Sequence, residues 1–288
     1  MSHVKTARAI LVAAIVAAPL VNAEAQGGAN QLAEDFRVVT TMAGANDTAY
    51  ITGHAVGDAT RLRIEVNTTG VGSQVSPLNA NGPVSMIVSD SGKTITYLDT
   101  QRSTYLRVRP ADMIQNMQQM GGMTMQFSET TANVDSLGAG PTLLGHPTSR
   151  YRVNTGMTMS MSAMGQSQTM KFSSSTEYLF ARDVNGALNP FASLSGGDMV
   201  NMFGSANKDF ANKMRAVQAK LPRGTPLRAT STATISAQGD TRTTSTVAEV
   251  TSLKWVPADR NAFEIPSTYK ETQLPSMGGM GAGAPPPR

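Results

Sequence analysis

Methionine is the residue type in this chain whose spacing invites chemistry. The 288 residues include 18 methionines and no cysteine. Met113, Met117, Met120, Met123 and Met125 form one group, and Met157, Met159, Met161, Met164 and Met170 form a second. Three uses fit such groups. Flexible thioethers fill irregular gaps in a core, and they also build an apolar cleft that adapts to ligands of different shape. The third use is Cu(I) binding, because soft sulfur in an exported protein holds a soft cation. Met157-Thr158-Met159-Ser160-Met161 has the spacing of methionine-rich copper motifs, but no His or Cys strengthens it. Core filling is the preferred reading, the adaptable cleft the second, and a Cu(I) site at Met157, Met159 and Met161 the third.

Other chemistry is thin. Without cysteine there is no disulfide framework, Cys-based zinc site, iron–sulfur cluster, thiol nucleophile or acylated lipoprotein anchor. His54 and His146 have no second His or carboxylate at a metal-ligand spacing, and Leu144-Gly145-His146-Pro147 reads as a turn. No nucleophile elbow, phosphate loop or dinucleotide fingerprint occurs. Asp47, Asp58, Asp90, Asp99 and Asp240 fall mostly in turns, where Asp stabilises backbone geometry. The expectation is a protein that is not an enzyme, with no catalytic residue and no cofactor. Arg61, Arg63, Arg107, Arg109, Arg150 and Arg152 sit singly on apparent strands, the pattern of a solvated face. No basic cluster is interleaved with aromatics, so nucleic acid is not an expected partner.

The elements that would position these residues begin after a leader. Lys5 and Arg8 precede the apolar run from Ala9 to Val21, and Ala23-Glu24-Ala25 supplies a small-x-small cleavage site. Cleavage near Ala25 would release a periplasmic or secreted chain and lower the formal charge from +4 to about +3. Residues 26–34 are expected to be a flexible N-terminus, 35–274 one domain, and 275–288 a disordered Met/Gly/Pro tail.

Strand patterns dominate the domain. Asp35 to Met42 is the first plausible strand. In Thr60 to Val66, Leu62, Ile64 and Val66 alternate with Arg61, Arg63 and Glu65. Val84 to Ser89 and Lys93 to Asp99 flank the turn Asp90-Ser91-Gly92, and Ser103 to Arg109 follows. Further strands are expected at Arg150 to Val153, Thr169 to Ala181, Leu227 to Ala237 and Thr241 to Trp255. In Thr169 to Ala181, Met170, Phe172, Tyr178 and Phe180 face one way. Two helices are expected. Pro110 to Met120 carries Met113, Met117 and Met120 on one face. Gly197 to Leu221 carries Phe210, Met214 and Val217, with Lys208, Lys213, Arg215 and Lys220 opposite. The second helix packs on the sheet, or its basic 206–221 part makes peripheral contact with a membrane.

Several segments carry a family resemblance. Val88-Ser89-Asp90-Ser91-Gly92-Lys93-Thr94-Ile95-Thr96-Tyr97-Leu98-Asp99 resembles the hairpin of the LolA/LolB-like periplasmic lipoprotein-carrier superfamily, and Leu62-Arg63-Ile64-Glu65 sits where those proteins carry the preceding strand. Ala262-Phe263-Glu264-Ile265-Pro266-Ser267-Thr268-Tyr269 is similar to the closing strand of that family. Leu143 to Val153 and Thr176 to Asp183 resemble its uncharacterised exported members. No functional residue is carried over from the family.

The resemblance implies a mainly β fold with helical insertions (α+β), a LolA-like antiparallel incomplete β-barrel wrapped around lid helices and an apolar cavity. The expected function is binding of a lipid, an acyl chain or a lipidated protein. The alternative is an envelope protein-interaction or stress-sensor domain with a collapsed cavity, and Cu(I) binding is third. Leu62, Ile64, Met113, Met117, Met120, Phe172, Tyr178, Phe180, Phe210 and Met214 are the candidate cavity and lid residues.

Overall fold

Strands form where β-branched and aromatic residues alternate with polar ones, and among the described residues twelve of them join one sheet. A computed structural model describes residues 30–43, 48–58, 60–69, 83–90, 93–109, 112, 124–163, 166–184 and 207–272. The first six strands are β1 (Asn30–Met42), β2 (Thr48–Gly57), β3 (Leu62–Thr69), β4 (Val84–Ser89), β5 (Thr94–Asp99) and β6 (Thr104–Val108). Then come β7 (Thr124–Ala139), β8 (Thr148–Ala163), β9 (Gln166–Ala181), helix α1 (Lys208–Lys220), β10 (Thr225–Ala237), β11 (Asp240–Pro257) and the short β12 (Lys270–Glu271).

The strand order is β12-β6-β5-β4-β3-β2-β1-β11-β10-β9-β8-β7. It consists of two antiparallel meanders, β1 to β6 and β7 to β11. They are joined where β1 pairs with β11 from Asn30↔Pro257 to Met42↔Thr244. Among the described strands only β12 runs parallel to its neighbour, β6. The protein is thus mostly β, in one open sheet.

One face of the sheet is the core. Leu32, Phe36 and Val38 of β1 meet Ala55 of β2, Leu62, Ile64 and Val66 of β3, and Val84, Met86 and Val88 of β4. Ala229 of β10 and Ala248 and Val250 of β11 extend the same cluster across the junction. Gly53 is there because Phe36 lies opposite it: a Cβ at Gly53 would collide with the Phe36 ring and stand 2.8 Å from the Glu65 carbonyl oxygen.

The opposite face is covered in part by the chain that follows β11. Gln31 Nε2 donates to the Asp259 carbonyl at 3.0 Å, and Arg63 Nη1 donates to that of Ala262 at 3.2 Å. The Arg61 guanidinium lies 4.4 Å from the centre of the Phe263 ring. The Lys270 N–H then donates to the Ser103 carbonyl at 3.0 Å, where β12 reaches β6. Ile87 points away from the core and is buried where it shares a groove with Phe263 and Ile265 of this strap.

Helix α1 starts at Asn207, whose side chain accepts from the Phe210 N–H at 3.1 Å. Its Lys213 Nζ donates to the Thr130 carbonyl and to Asp209 Oδ2, each at 2.7 Å. These bonds fix the helix to β7 at an irregularity between Ser128 and Thr131. A second irregularity, with Gly138 at φ 87°, interrupts the same edge strand. Bulges of this kind keep an edge from pairing with other chains.

The strands extend further than their sequence patterns. β1 begins at Asn30, not Asp35, so 30–34 is not a flexible N-terminus: Leu32 and Glu34 are buried. β8 runs to Ala163 and absorbs the methionine segment. β2 and β7 have no counterpart among the expected strands; glycines interrupt the alternation of the first, and Ser, Thr and Asn dilute the second. The expected leader, tail and Pro110 to Met120 helix lie outside the described residues apart from Asp112, as does 197–206 of the other helix.

Gly53→Val is expected to cost about 1–3 kcal/mol by overpacking, and Phe36→Ala about 3–5 kcal/mol. Urea denaturation measures both. A Gly53→Val protein as stable as the parent would show that Phe36 does not lie on Gly53.

Candidate functional site: a buried carboxyl in an apolar sheet face

The period of two on β1 sends Leu32, Glu34, Phe36 and Val38 to the core face. Three of these are apolar and the fourth is a carboxylic acid. Glu34 is 3% exposed. Ala55 stands opposite it on β2 and Leu253 on β11, with Ile64 next on β3. Among the described residues neither Glu34 oxygen has a hydrogen-bond partner. Burial pushes its pKa up to about 8, so the acid is mostly protonated at neutral pH.

Two acids of the second meander and α1 shift in the opposite direction. Hydrogen bonds from Arg150 and Arg152 hold Glu177 below its usual range. Asp209 is lowered by Lys213 and Thr130. A protonated carboxyl keeps one O–H donor and spare acceptor capacity, so Glu34 offers a neutral donor inside an apolar surface.

The core face continues onto the second meander. A band of hydroxyls crosses it: Thr40 and Thr246 are 3.2 Å apart, Thr176 donates to Ser231 at 2.9 Å, and Thr155 and Ser174 are 2.8 Å apart. Beyond the band lie the methionines. Met157 faces Phe172, Met159 faces Met170, and Met161 faces Gln168. Phe127 of β7 flanks Met159 on its other side.

The expected cavity residues fall as follows. Leu62 and Ile64 are buried in the core cluster, and Tyr178 packs against it. Phe180 is buried with its ring centre 5.5 Å from that of Tyr178. Phe172 lies at the methionine end of the same face. Phe210 is buried on α1 and Met214 half-buried, beside β7. Met113, Met117 and Met120 lie outside the described residues. Met157, Met159 and Met161 share one strand face in single file, and the first two are buried. Successive Cα atoms in such a file are spaced by about 6.6–6.8 Å of strand rise.

The arginines occupy the other face. Arg150 and Arg152 reach Glu177 at 3.0 and 3.1 Å, while Arg37 and Arg228 share Glu249. Arg61, Arg107 and Arg109 instead line a groove of about 610 Å³ between the sheet and the strap, with Ile87, Thr96 and Ile265 in its walls. His54 Nδ1 is 2.7 Å from Asp35 Oδ1, and His146 Nδ1 is 2.8 Å from Asp183 Oδ2. Among the described residues no three His, Cys, Asp or Glu side chains gather as a metal site.

Glu34 is the residue that sequence reasoning missed. The signal lies in Leu32-x-Glu34-x-Phe36-x-Val38, and a strand beginning at Asp35 stops one residue short of it. No protein-family model matches the chain, and no curated protein matches it.

The Glu34 acid predicts a pH effect. The unfolded chain releases this proton near 4.5, whereas the folded protein holds it to about 8. Stability therefore falls as pH rises through that window, by about 1.4 kcal/mol per unit inside it. Glu34→Gln lacks this contribution. The difference in unfolding free energy between the two proteins is expected to grow from pH 5 to pH 8; a flat difference would mean that Glu34 is ionised in the fold.

Proposed function

We propose that this is an exported, non-enzymatic binding protein whose apolar sheet face takes the acyl chain of a lipid or lipidated protein. The observation that carries the reading is the continuous core face, shared by both meanders and lined with large apolar side chains. Twisted open sheets of more than about ten strands tend to curl, which supports the LolA-like incomplete barrel. The leader at residues 1–25 supports export, and the hairpin resemblance supports the carrier class. Apolar surface of this kind binds by burial.

One observation favours a second reading. Leu62 is 1% exposed and Ile64 0%. Side chains packed this closely fit an envelope interaction or stress-sensor domain with a collapsed cavity. The third reading, Cu(I), is the weakest, because Met157 and Met159 have apolar packing partners in Phe172, Met170 and Phe127.

Organic extraction and mass spectrometry of the purified native protein test the first reading. Co-purified acyl lipid is the expected result. No lipid, together with no response to an added acylated ligand, would overturn it in favour of the collapsed form. For copper, changing Met157, Met159 and Met161 to Leu is expected to leave a Cu(I) competition titration unchanged; a loss of affinity would restore the metal site.

A further inference from the structure

We propose that the groove between Arg150 and Arg228, on the arginine face of the sheet, binds the phosphoryl group of a phosphate monoester. The site lies on the face opposite the apolar core and does not rest on the acyl-binding reading.

Strand register builds the site. Arg150 of β8, Leu179 of β9 and Arg228 of β10 stand in one row across neighbouring strands, and Glu249 of β11 and Arg37 of β1 continue that row. The two arginines are therefore two strand spacings apart, about 9.4–9.8 Å between Cα atoms. Both line a groove of about 550 Å³, together with Glu177, Leu179, Thr230 and residues 139–141. The 139–141 segment is tied down. The Gly140 N–H donates to the Thr148 carbonyl at 2.9 Å, and the Thr148 hydroxyl donates to the Pro141 carbonyl at 2.6 Å. Gly140 lies so close to its neighbours that a Cβ there would stand 3.1 Å from Arg150 Cγ and 3.1 Å from Leu179 Cδ2. The segment thus packs on the Arg150 stem and holds it at the groove.

Charge selects the occupant. Glu177 accepts from Arg150 and Arg152, and Glu249 pairs with Arg37 and Arg228. Each carboxylate answers two guanidiniums, so each trio keeps one positive charge in excess. Asp135 of β7 stands opposite Arg152 by register, on the side away from β9 and β10. Arg228 is the less satisfied of the two groove arginines. Its Nε lies 4.0 Å from Glu249, and among the described residues its N–H groups make no hydrogen bond. Guanidinium groups donate and never accept, so the ligand must supply acceptors. Two excess charges match a phosphate monoester, which carries about −1.5 to −2 at neutral pH and three strong acceptor oxygens. A monocarboxylate would leave one of the two charges unanswered. Charge-assisted N–H···O bonds of about 2.7–2.9 Å from either side let one phosphoryl group bridge the arginines. Its organic substituent would lie on Leu179, Ala139 and Pro141.

Three probes that share a ring and differ in charge test the site: phenyl phosphate, benzoate and benzyl alcohol. Each is titrated into the full-length protein by calorimetry. Phenyl phosphate is expected to bind, benzoate about tenfold more weakly, and benzyl alcohol not at all. Arg228→Gln is expected to weaken phenyl phosphate by about tenfold or more, through loss of charge-assisted hydrogen bonds. Arg228→Lys keeps the charge without the fork and is expected to fall between Gln and the parent. Arg242→Gln removes the same charge from an exposed position at the other end of β11, and its affinity is expected to stay within about twofold of the parent. No binding of phenyl phosphate to the parent would overturn the site. Equal losses in Arg228→Gln and Arg242→Gln would also overturn it, by showing diffuse attraction to a basic protein. Benzoate binding as tightly as phenyl phosphate would overturn the choice of phosphate.

Discussion

The pairing of β1 with β11 holds the two meanders in one sheet. β1 is the first strand of one meander and β11 the last of the other, and their register is continuous for thirteen residues of β1 except at the shift between Asp35 and Phe36. That ladder brings the apolar faces of the two halves into one surface. With it, Leu32, Phe36 and Val38 lie between the β2–β4 side of the core and Ala248 and Val250 of β11, and one cluster spans the junction. Glu34 sits beside the shift, so the most costly residue of the core lies where the two halves meet.

That placement makes the core sensitive to pH. A carboxyl held neutral by burial weakens the fold as the pH rises through its titration. The strap from residue 258 to β12 stabilises the sheet independently, through Gln31, Arg63 and Arg61 on the opposite face. The core face is thus not alone in keeping β1 to β6 together.

Much of the fold was legible in the sequence, because alternation is explicit where apolar residues are large. Leu62-x-Ile64-x-Val66 and the hairpin around Asp90 lie where their patterns put them. The illegible parts have physical reasons. Gly53 and Gly57 leave gaps in the pattern of β2, and Phe36 fills one of them from the neighbouring strand. β7 is an edge strand, where polar residues are tolerated along the length. Single arginines on strands predict a solvated face, which describes Arg150 and Arg152; Arg61 instead lies on Phe263, a contact far apart in sequence that no local pattern announces. Glu34 was missed because a charged residue ordinarily marks the exposed face of a strand.

The measurement closest to the central claim is a carbon-13 NMR titration of the glutamate side-chain carboxyls, with Glu34 assigned by comparison with Glu34→Gln. The account predicts that the Glu34 carboxyl titrates near pH 8, where burial pushes it. A Glu34 midpoint between about 4 and 5, the ordinary range for a glutamate, would contradict it.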